Sequence, residues 1–234
     1  MILCLETATM ICSVALCDRD GVVALKESGE GRSHATQLTV FAGEVIAEAG
    51  IKAADLEAVA VSKGPGSYTG LRIGVSTAKG LAYAASIPLI SVGTTLSMYL
   101  GFASLFRDRY GFSRTDLFCP AIDARRMEIY YSVFNSSGKS VRGIRAEVVD
   151  MNFLSGFSNN ERIFIFGDGA SKCKDVVKRG NVIVEESFSL SASYMRTAAY
   201  EALDGKHFED IAYFEPFYLK DFLTSRPVKN VLGK

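Results

Sequence analysis

The chain has 234 residues, of which 26 are basic and 26 acidic, 48% are apolar and 22% charged. That length suits one large domain or two small ones and buries roughly 70% of the unfolded surface, and the composition excludes a disordered chain. Zero net charge excludes a general attraction to polyanions, so a protein that holds nucleic acid unaided is not expected.

Ile2 to Glu6 reads as a buried strand, and the alternating Ser13 to Cys17 as a second. Asp18-Arg19-Asp20-Gly21 is a turn signal leading to a third, antiparallel strand, Val22 to Lys26. A helix follows from His34 to Ala49, with Ser33 placed to cap it and Gly50 to end it. Ala58 to Ser62 is a fourth strand. The loop Lys63-Gly64-Pro65-Gly66-Ser67-Tyr68 opens a second helix that ends near Ser86, and Leu89 to Val92 follows Pro88 as a fifth strand. The second half repeats this outline. Phe118 to Asp123 is a strand ending in an acid, Glu128 to Phe134 pairs with it, and Ser136-Ser137-Gly138-Lys139 turns the chain. Ile163 to Phe166 runs into Gly167-Asp168-Gly169, and a helix spans Ser191 to Leu203. Two similar α/β halves suggest a duplicated fold. The polar, glycine-containing stretch from Gly101 to Thr115 is the expected boundary between lobes 1–100 and 101–234, the tail 215–234 packing back on the first lobe.

Cys4, Cys12, Cys17, Cys119 and Cys173 are odd in number and lack C-x-x-C spacing, which argues for reduced thiols rather than a disulfide framework or zinc ribbon. Glu6 interrupts the N-terminal apolar run, no basic segment precedes it, and no run reaches the ~18 apolar residues of a membrane span. A cytoplasmic protein is expected. Lys220, Arg226, Lys229 and Lys234 make a basic tail, read as a solvated terminus.

The sharpest motif is Gly64-Pro65-Gly66-Ser67-Tyr68-Thr69-Gly70-Leu71-Arg72-Ile73-Gly74. Such a loop either presents N–H groups to an anion at a helix N-terminus or makes a tight strand-to-helix turn with close packing. No Gly-Lys-Ser/Thr closes it, so it is not a Walker A loop, and the packing turn is preferred. Ser67 lacks a nucleophile-elbow frame, because Pro65 stands where a glycine belongs. Glu6 and Asp123 close equivalent strands; each serves either as a magnesium-binding or catalytic acid, or as a cap on a nearby turn.

The string GPGSYTGLRIGVSTAKGLA resembles the signature of the TsaB (YeaZ) family of tRNA threonylcarbamoyladenosine biosynthesis proteins. ILCLETATMICSVAL resembles that family's first hairpin, although Glu6 stands where Asp is usual, and His34 matches a histidine opening the first helix. Asp123-Ala124-Arg125 with Met127, Glu128 and Tyr130 resembles the second-half hairpin. Glu215-Pro216-Phe217-Tyr218-Leu219-Lys220 resembles the C-terminal motif, which commonly ends in Arg. The likeness is dense over the first hundred residues and weak between Asn135 and Tyr213. It implies the actin-like ATPase (ASKHA, sugar-kinase-like) fold of two similar α/β lobes. It also implies a non-catalytic paralogue of TsaD that supports this transferase in forming threonylcarbamoyladenosine beside the tRNA anticodon. A TsaE-like ATPase would join the assembly, and tRNA would be met only indirectly.

Catalytic relatives are expected to hold a metal with two histidines one helical turn apart; here Leu38 follows His34 at that spacing, and His207 is the other histidine. No metal and no cofactor are therefore expected. The runner-up is an ATP-dependent kinase or ATPase of the same fold acting through Glu6 and Asp123 on a small molecule; a metallopeptidase ranks below it.

Both first-lobe helices carry a second stripe opposite the core. Helix one buries Leu38, Phe41, Ala42, Val45, Ile46 and Ala49, yet its far side is Thr36, Val40, Gly43 and Ala47. Helix two buries Leu71, Gly74, Val75, Ala78, Leu81, Ala82 and Ala85, and shows Ile73, Thr77, Gly80 and Ala84 at the same offsets. Glycine inside a helix costs up to ~1 kcal/mol, so Gly43 and Gly80 ask for a packing reason. With the resemblance counted, these eight residues are the expected partner interface. The free protein would self-associate as a homodimer if it used the same face.

Overall fold

The computed structural model describes residues 1–29 and 34–220. The Ser33 cap and the tail basic residues Arg226, Lys229 and Lys234 lie outside the described residues. Strands β1 (Ile2–Glu6), β2 (Cys12–Cys17), β3 (Val22–Ser28), β4 (Ala58–Gly64) and β5 (Leu89–Gly93) form one sheet in the order β3-β2-β1-β4-β5. Strands β6 (Leu117–Asp123), β7 (Glu128–Asn135), β8 (Ser140–Val148), β9 (Ile163–Phe166) and β10 (Val182–Glu185) form a second in the order β10-β9-β6-β7-β8. Three strands pair antiparallel and two add in parallel in each sheet, so the orders are the same. The duplication expected from the two halves is present, and the two-lobed α/β architecture is the actin-like one.

β1 and β2 are buried on both faces, as a strand covered by helices on each side must be. Leu3 and Leu5 pack under helices α1 (His34–Glu48) and α2 (Tyr68–Ala85). Ile2 and Cys4 pack on the opposite side, where Met195, Ala199 and Tyr200 cover them. Ala199 and Tyr200 belong to a late helix, α6 (Arg196–Asp204), preceded by a short 3-10 turn over Ala192–Met195. The chain thus returns from the second sheet to complete the first core. The return continues past the helix. Glu209 N–H donates to Leu89 O at 2.9 Å, Lys79 Nζ donates to Ala212 O and Phe214 O at 3.1 Å each, and Phe217 N–H donates to Lys63 O at 2.7 Å.

Two helices, α3 (Thr94–Leu105) and α4 (Arg107–Tyr110), occupy much of the stretch expected to be a polar link. In α3, Met98, Tyr99 and Phe102 are buried in an aromatic cluster with Phe118, Phe164 and Phe166. A helix covered on most sides has no polar face, so its sequence lacks the one-sided stripe by which α1 and α2 were recognised. A one-turn helix, α5 (Ser171–Lys174), precedes β10. Among the described residues no helix is long and apolar enough to cross a membrane. All five cysteines are buried free thiols.

Candidate functional site

Two places deserve the chemistry: the cleft between the lobes and the outer face of α1 and α2. Behind the turn that lines the first, Glu6 is fully buried at the end of β1. Its Oε1 accepts the Ala8 N–H at 2.7 Å, two residues on. Ser62 Oγ lies beside the carboxyl but is engaged with Thr94 Oγ1 at 2.7 Å. Oε2 has no hydrogen-bond partner among the described residues. Burial pushes the Glu6 carboxyl up to about 7, against the opposing pull of the Ala8 N–H and the Ser62 hydroxyl.

The glycine motif closes over this turn. Ser67 N–H donates to Ala8 O at 2.7 Å, and Thr7 Oγ1 donates to Gly70 O at 2.8 Å. Gly66, Gly70 and Gly74 follow at intervals of four and face the same neighbours. A Cβ at Gly66 would overlap Ala8, at Gly70 the Thr7 carbonyl, and at Gly74 the Thr7 hydroxyl. Ser67 caps α2 itself, its Oγ accepting the Gly70 N–H at 3.2 Å. The glycines are there because the helix and its loop touch the backbone of residues 7 and 8. The packing reading of the motif, preferred because no Gly-Lys-Ser/Thr closes the loop, holds.

The second lobe repeats the turn in a looser form. Asp123 Oδ1 accepts the Arg125 N–H at 2.6 Å, again two residues on, and pairs with Lys172 Nζ at 2.6 Å. Asp168 Oδ1 accepts the Asp123 N–H at 3.0 Å, and Gly169 N–H donates to Ala121 O at 3.0 Å. Gly167 adopts φ +107°, which only glycine takes readily, against Ala121 and Met98. Gly167-Asp168-Gly169 is therefore a turn folded on the end of β6. Both strand-end acids act as turn caps.

Between the two turns lies an open cleft of about 730 Å³, with Thr9, Met10, Tyr68, Arg125, Arg126 and Tyr130 on its walls. Lys220 reaches Glu128 across its rim, joining the C-terminal segment to the second lobe. Tyr218 rests on Tyr68 with ring centroids 4.7 Å apart, and Arg72 donates to the Tyr68 hydroxyl at 3.0 Å. Tyr68, Tyr218 and Arg125 stood in motifs read from the sequence, but neither the Tyr68–Tyr218 contact nor the left-handed backbone of Arg125 and Arg126 was foreseen. Among the described residues no three His, Cys, Asp or Glu side chains converge on a point able to hold a metal ion. His34 Nε2 lies 3.2 Å from Ile11 O in the first turn of α1.

On the second place, Thr36, Val40, Gly43 and Ala47 of α1 are exposed, as are Gly80 and Ala84 of α2; Ile73 and Thr77 are half-buried. A Cβ at Gly43 or Gly80 would meet nothing within 4 Å. Gly70 and Gly74 face the sheet of the same helix that turns Gly80 outward.

A family model described as TsaD, tRNA N6-adenosine threonylcarbamoyltransferase, matches residues 27–221. The chain belongs to this family, among its TsaB (YeaZ) members. It is 27% identical over 232 residues to the tRNA threonylcarbamoyladenosine biosynthesis protein TsaB of Haemophilus influenzae, covering 95% of this chain and 94% of that protein. To TsaB of Escherichia coli it is 37% identical over 133 residues, 57% of this chain and 54% of that one. A solved structure of YeaZ from Pseudomonas aeruginosa superposes with a TM-score of 0.75 at 24% identity, over 93% of this chain and 99% of that one, which shows the shared fold.

Proposed function

We propose that the chain is a non-catalytic subunit in the cytoplasmic formation of threonylcarbamoyladenosine in tRNA, where it binds and supports a TsaD-like transferase. Membership of a family whose relatives are named for this biosynthesis supports the pathway. The observation that carries the subunit role is the outward face of α1 and α2, open at both Gly43 and Gly80. A glycine without a neighbour inside its own chain lets another backbone approach closely, which would offset the helix cost. In this reading Thr36, Val40, Gly43, Ala47, Ile73, Thr77, Gly80 and Ala84 form the partner interface, on a lobe spanning 1–100. Residues 101–234 form the second lobe and lend α6 and the segment after it to the first. A TsaE-like ATPase joins the same assembly, and without its partner the chain pairs with a second copy through the same face. The kinase reading is disfavoured because the glycine loop that would cradle phosphates is occupied by Thr7 and Ala8.

Gly43→Arg tests this. It would put a long cation between packed helices while pointing into solvent in the free chain. Calorimetry with the TsaD-like partner should show affinity falling at least about 100-fold, or ~2.8 kcal/mol at 1.4 kcal/mol per tenfold, while circular dichroism gives a melting temperature like the wild type's. Unchanged affinity, or a variant that unfolds well below wild type, would show the stripe to be the protein's own packing.

A further inference from the structure

We propose that the outer end of the second lobe, presenting Arg107, Arg109, Arg114 and Lys139, holds the phosphate backbone of the RNA substrate; the choice of RNA rests on the function proposed above. Three separate chain segments build this end. The Tyr99 hydroxyl of α3 donates to Ser136 O in the β7–β8 turn at 3.3 Å, and Ser136 Oγ donates to Arg114 O at 2.9 Å. Gly138 lies against the Tyr99 ring. Arg107 of α4 stands near enough to the Tyr99 hydroxyl to offset part of the upward push that burial gives its ionisation. All four cations are exposed.

Two acids that reach this region, Asp116 and Glu185, are turned inward. Asp116 is 1% exposed and held by Arg162, with Nη2–Oδ2 at 2.6 Å and Nε–Oδ1 at 3.0 Å. The Glu185 side chain is 7% exposed and accepts from Arg109 at 2.7 Å and the Tyr110 hydroxyl at 2.7 Å. That leaves Asp108 as the exposed acid of the 105–116 segment. Among the described residues Arg107, Arg114 and Lys139 make no ion pair. A chain of zero net charge therefore carries a local cationic surface, produced by burying the compensating carboxylates.

The chemistry suits a nucleic-acid strand better than an acidic protein. The Arg109 guanidinium lies 5.1 Å from the Tyr110 ring centroid and 5.8 Å from that of Phe106. Its Nη1 is paired with Glu185 at 2.7 Å, so this guanidinium adds less to a phosphate site than the unpaired Arg107, Arg114 and Lys139. A protein interface needs an apolar centre, and the 105–116 segment offers one strongly exposed large apolar side chain, Leu105. The surface sits on the second lobe while the docking helices belong to the first, so both can be engaged at once.

The test is fluorescence anisotropy of labelled, unmodified tRNA with the full chain. It compares wild type with a triple Arg107→Glu, Arg114→Glu, Lys139→Glu variant; Arg109 is spared because it neutralises Glu185. Wild-type affinity should fall linearly in log–log with salt, at a slope of about −2 to −3 for three or so phosphates. The triple variant should bind at least tenfold more weakly with an unchanged melting temperature. Wild type that binds no tRNA at about 50 mM salt, or a triple variant as tight as wild type, overturns the proposal. Should the triple variant misfold, Arg114→Ala and Lys139→Ala each should weaken binding and cut the slope by about 1; unaltered slopes in both count against the site. Polyglutamate displacing the tRNA at equal charge concentration would assign the surface to an acidic protein instead. The triple variant should still capture the TsaD-like partner. If wild type captures no partner yet binds tRNA through these residues, the subunit reading falls and the RNA site stands; capture with patch-independent tRNA binding gives the reverse.

Discussion

The two lobes solve the same turn in different ways. Each central strand ends in an acid that accepts an N–H two residues on, Glu6 from Ala8 and Asp123 from Arg125. Around Glu6 the glycine face of α2 comes down on Thr7 and Ala8, and water is excluded. Around Asp123 the cover is a short glycine turn, the carboxylate stays 43% exposed, and Lys172 neutralises it. The same backbone device thus holds a carboxyl in two different surroundings, one sealed from solvent and one half-exposed beside a cation. The first lobe's glycine motif seats α2 on the turn at residues 7 and 8; the second keeps a shallower turn at the rim of the cleft.

The largest way to break this contrast is steric. Gly70→Ala drives a methyl group into the Thr7 carbonyl, and backbone cannot yield as a side-chain tip does, so destabilisation of ~3 kcal/mol or more is expected. In the second lobe Gly169→Ala meets Ile122 C and Ile129 Cγ2 at 2.9 Å, for which ~1–3 kcal/mol is expected. Urea denaturation of both variants ranks them; equal losses, or a neutral Gly70→Ala, would end the claim that the first turn is the tighter.

The next effect is electrostatic. Glu6 titrates near 7 in the folded chain against an ordinary value of 4.5, so between these values the native state holds the proton more firmly than the unfolded state. Stability must then fall as pH rises from about 4.5 to about 7, by on the order of 3 kcal/mol at full effect. The difference between wild type and Glu6→Gln across that window isolates this slope from the other carboxylates. A flat difference would mean that the carboxyl is hydrated.

The smallest effect sharpens the comparison from the other side. Asp123→Asn keeps an oxygen to accept the Arg125 N–H and removes the charge that Lys172 pairs with. A half-exposed pair is worth about 0.5–1 kcal/mol, so thermal denaturation should shift by only a few degrees. A loss as large as that of Gly70→Ala would show the second turn to be as constrained as the first.

Much of this was legible in the residues. Ile2–Glu6 and Ala58–Ser62 are short apolar runs, and their edges fell within two residues of the strands observed. The two helix stripes followed from a 3.6-residue period, and their outward glycines proved open. α3 was missed because a helix buried on most sides has no period to detect. In the cleft, Arg125 and Arg126 gave no warning of a left-handed backbone, since arginine carries no preference for it.

Local periodicity and turn chemistry therefore determined which segments become strands and helices, which helix faces point away from the core, and that the chain contains the same α/β pattern twice. Tertiary structure decided what those features do. It placed Thr7 under Gly70 and Gly74, brought α6 back from the second half to close the first core, and turned Asp116 and Glu185 inward so that a neutral chain shows a basic end. Each is a contact between residues far apart in sequence, and its energy depends on burial and distance that only the folded chain supplies.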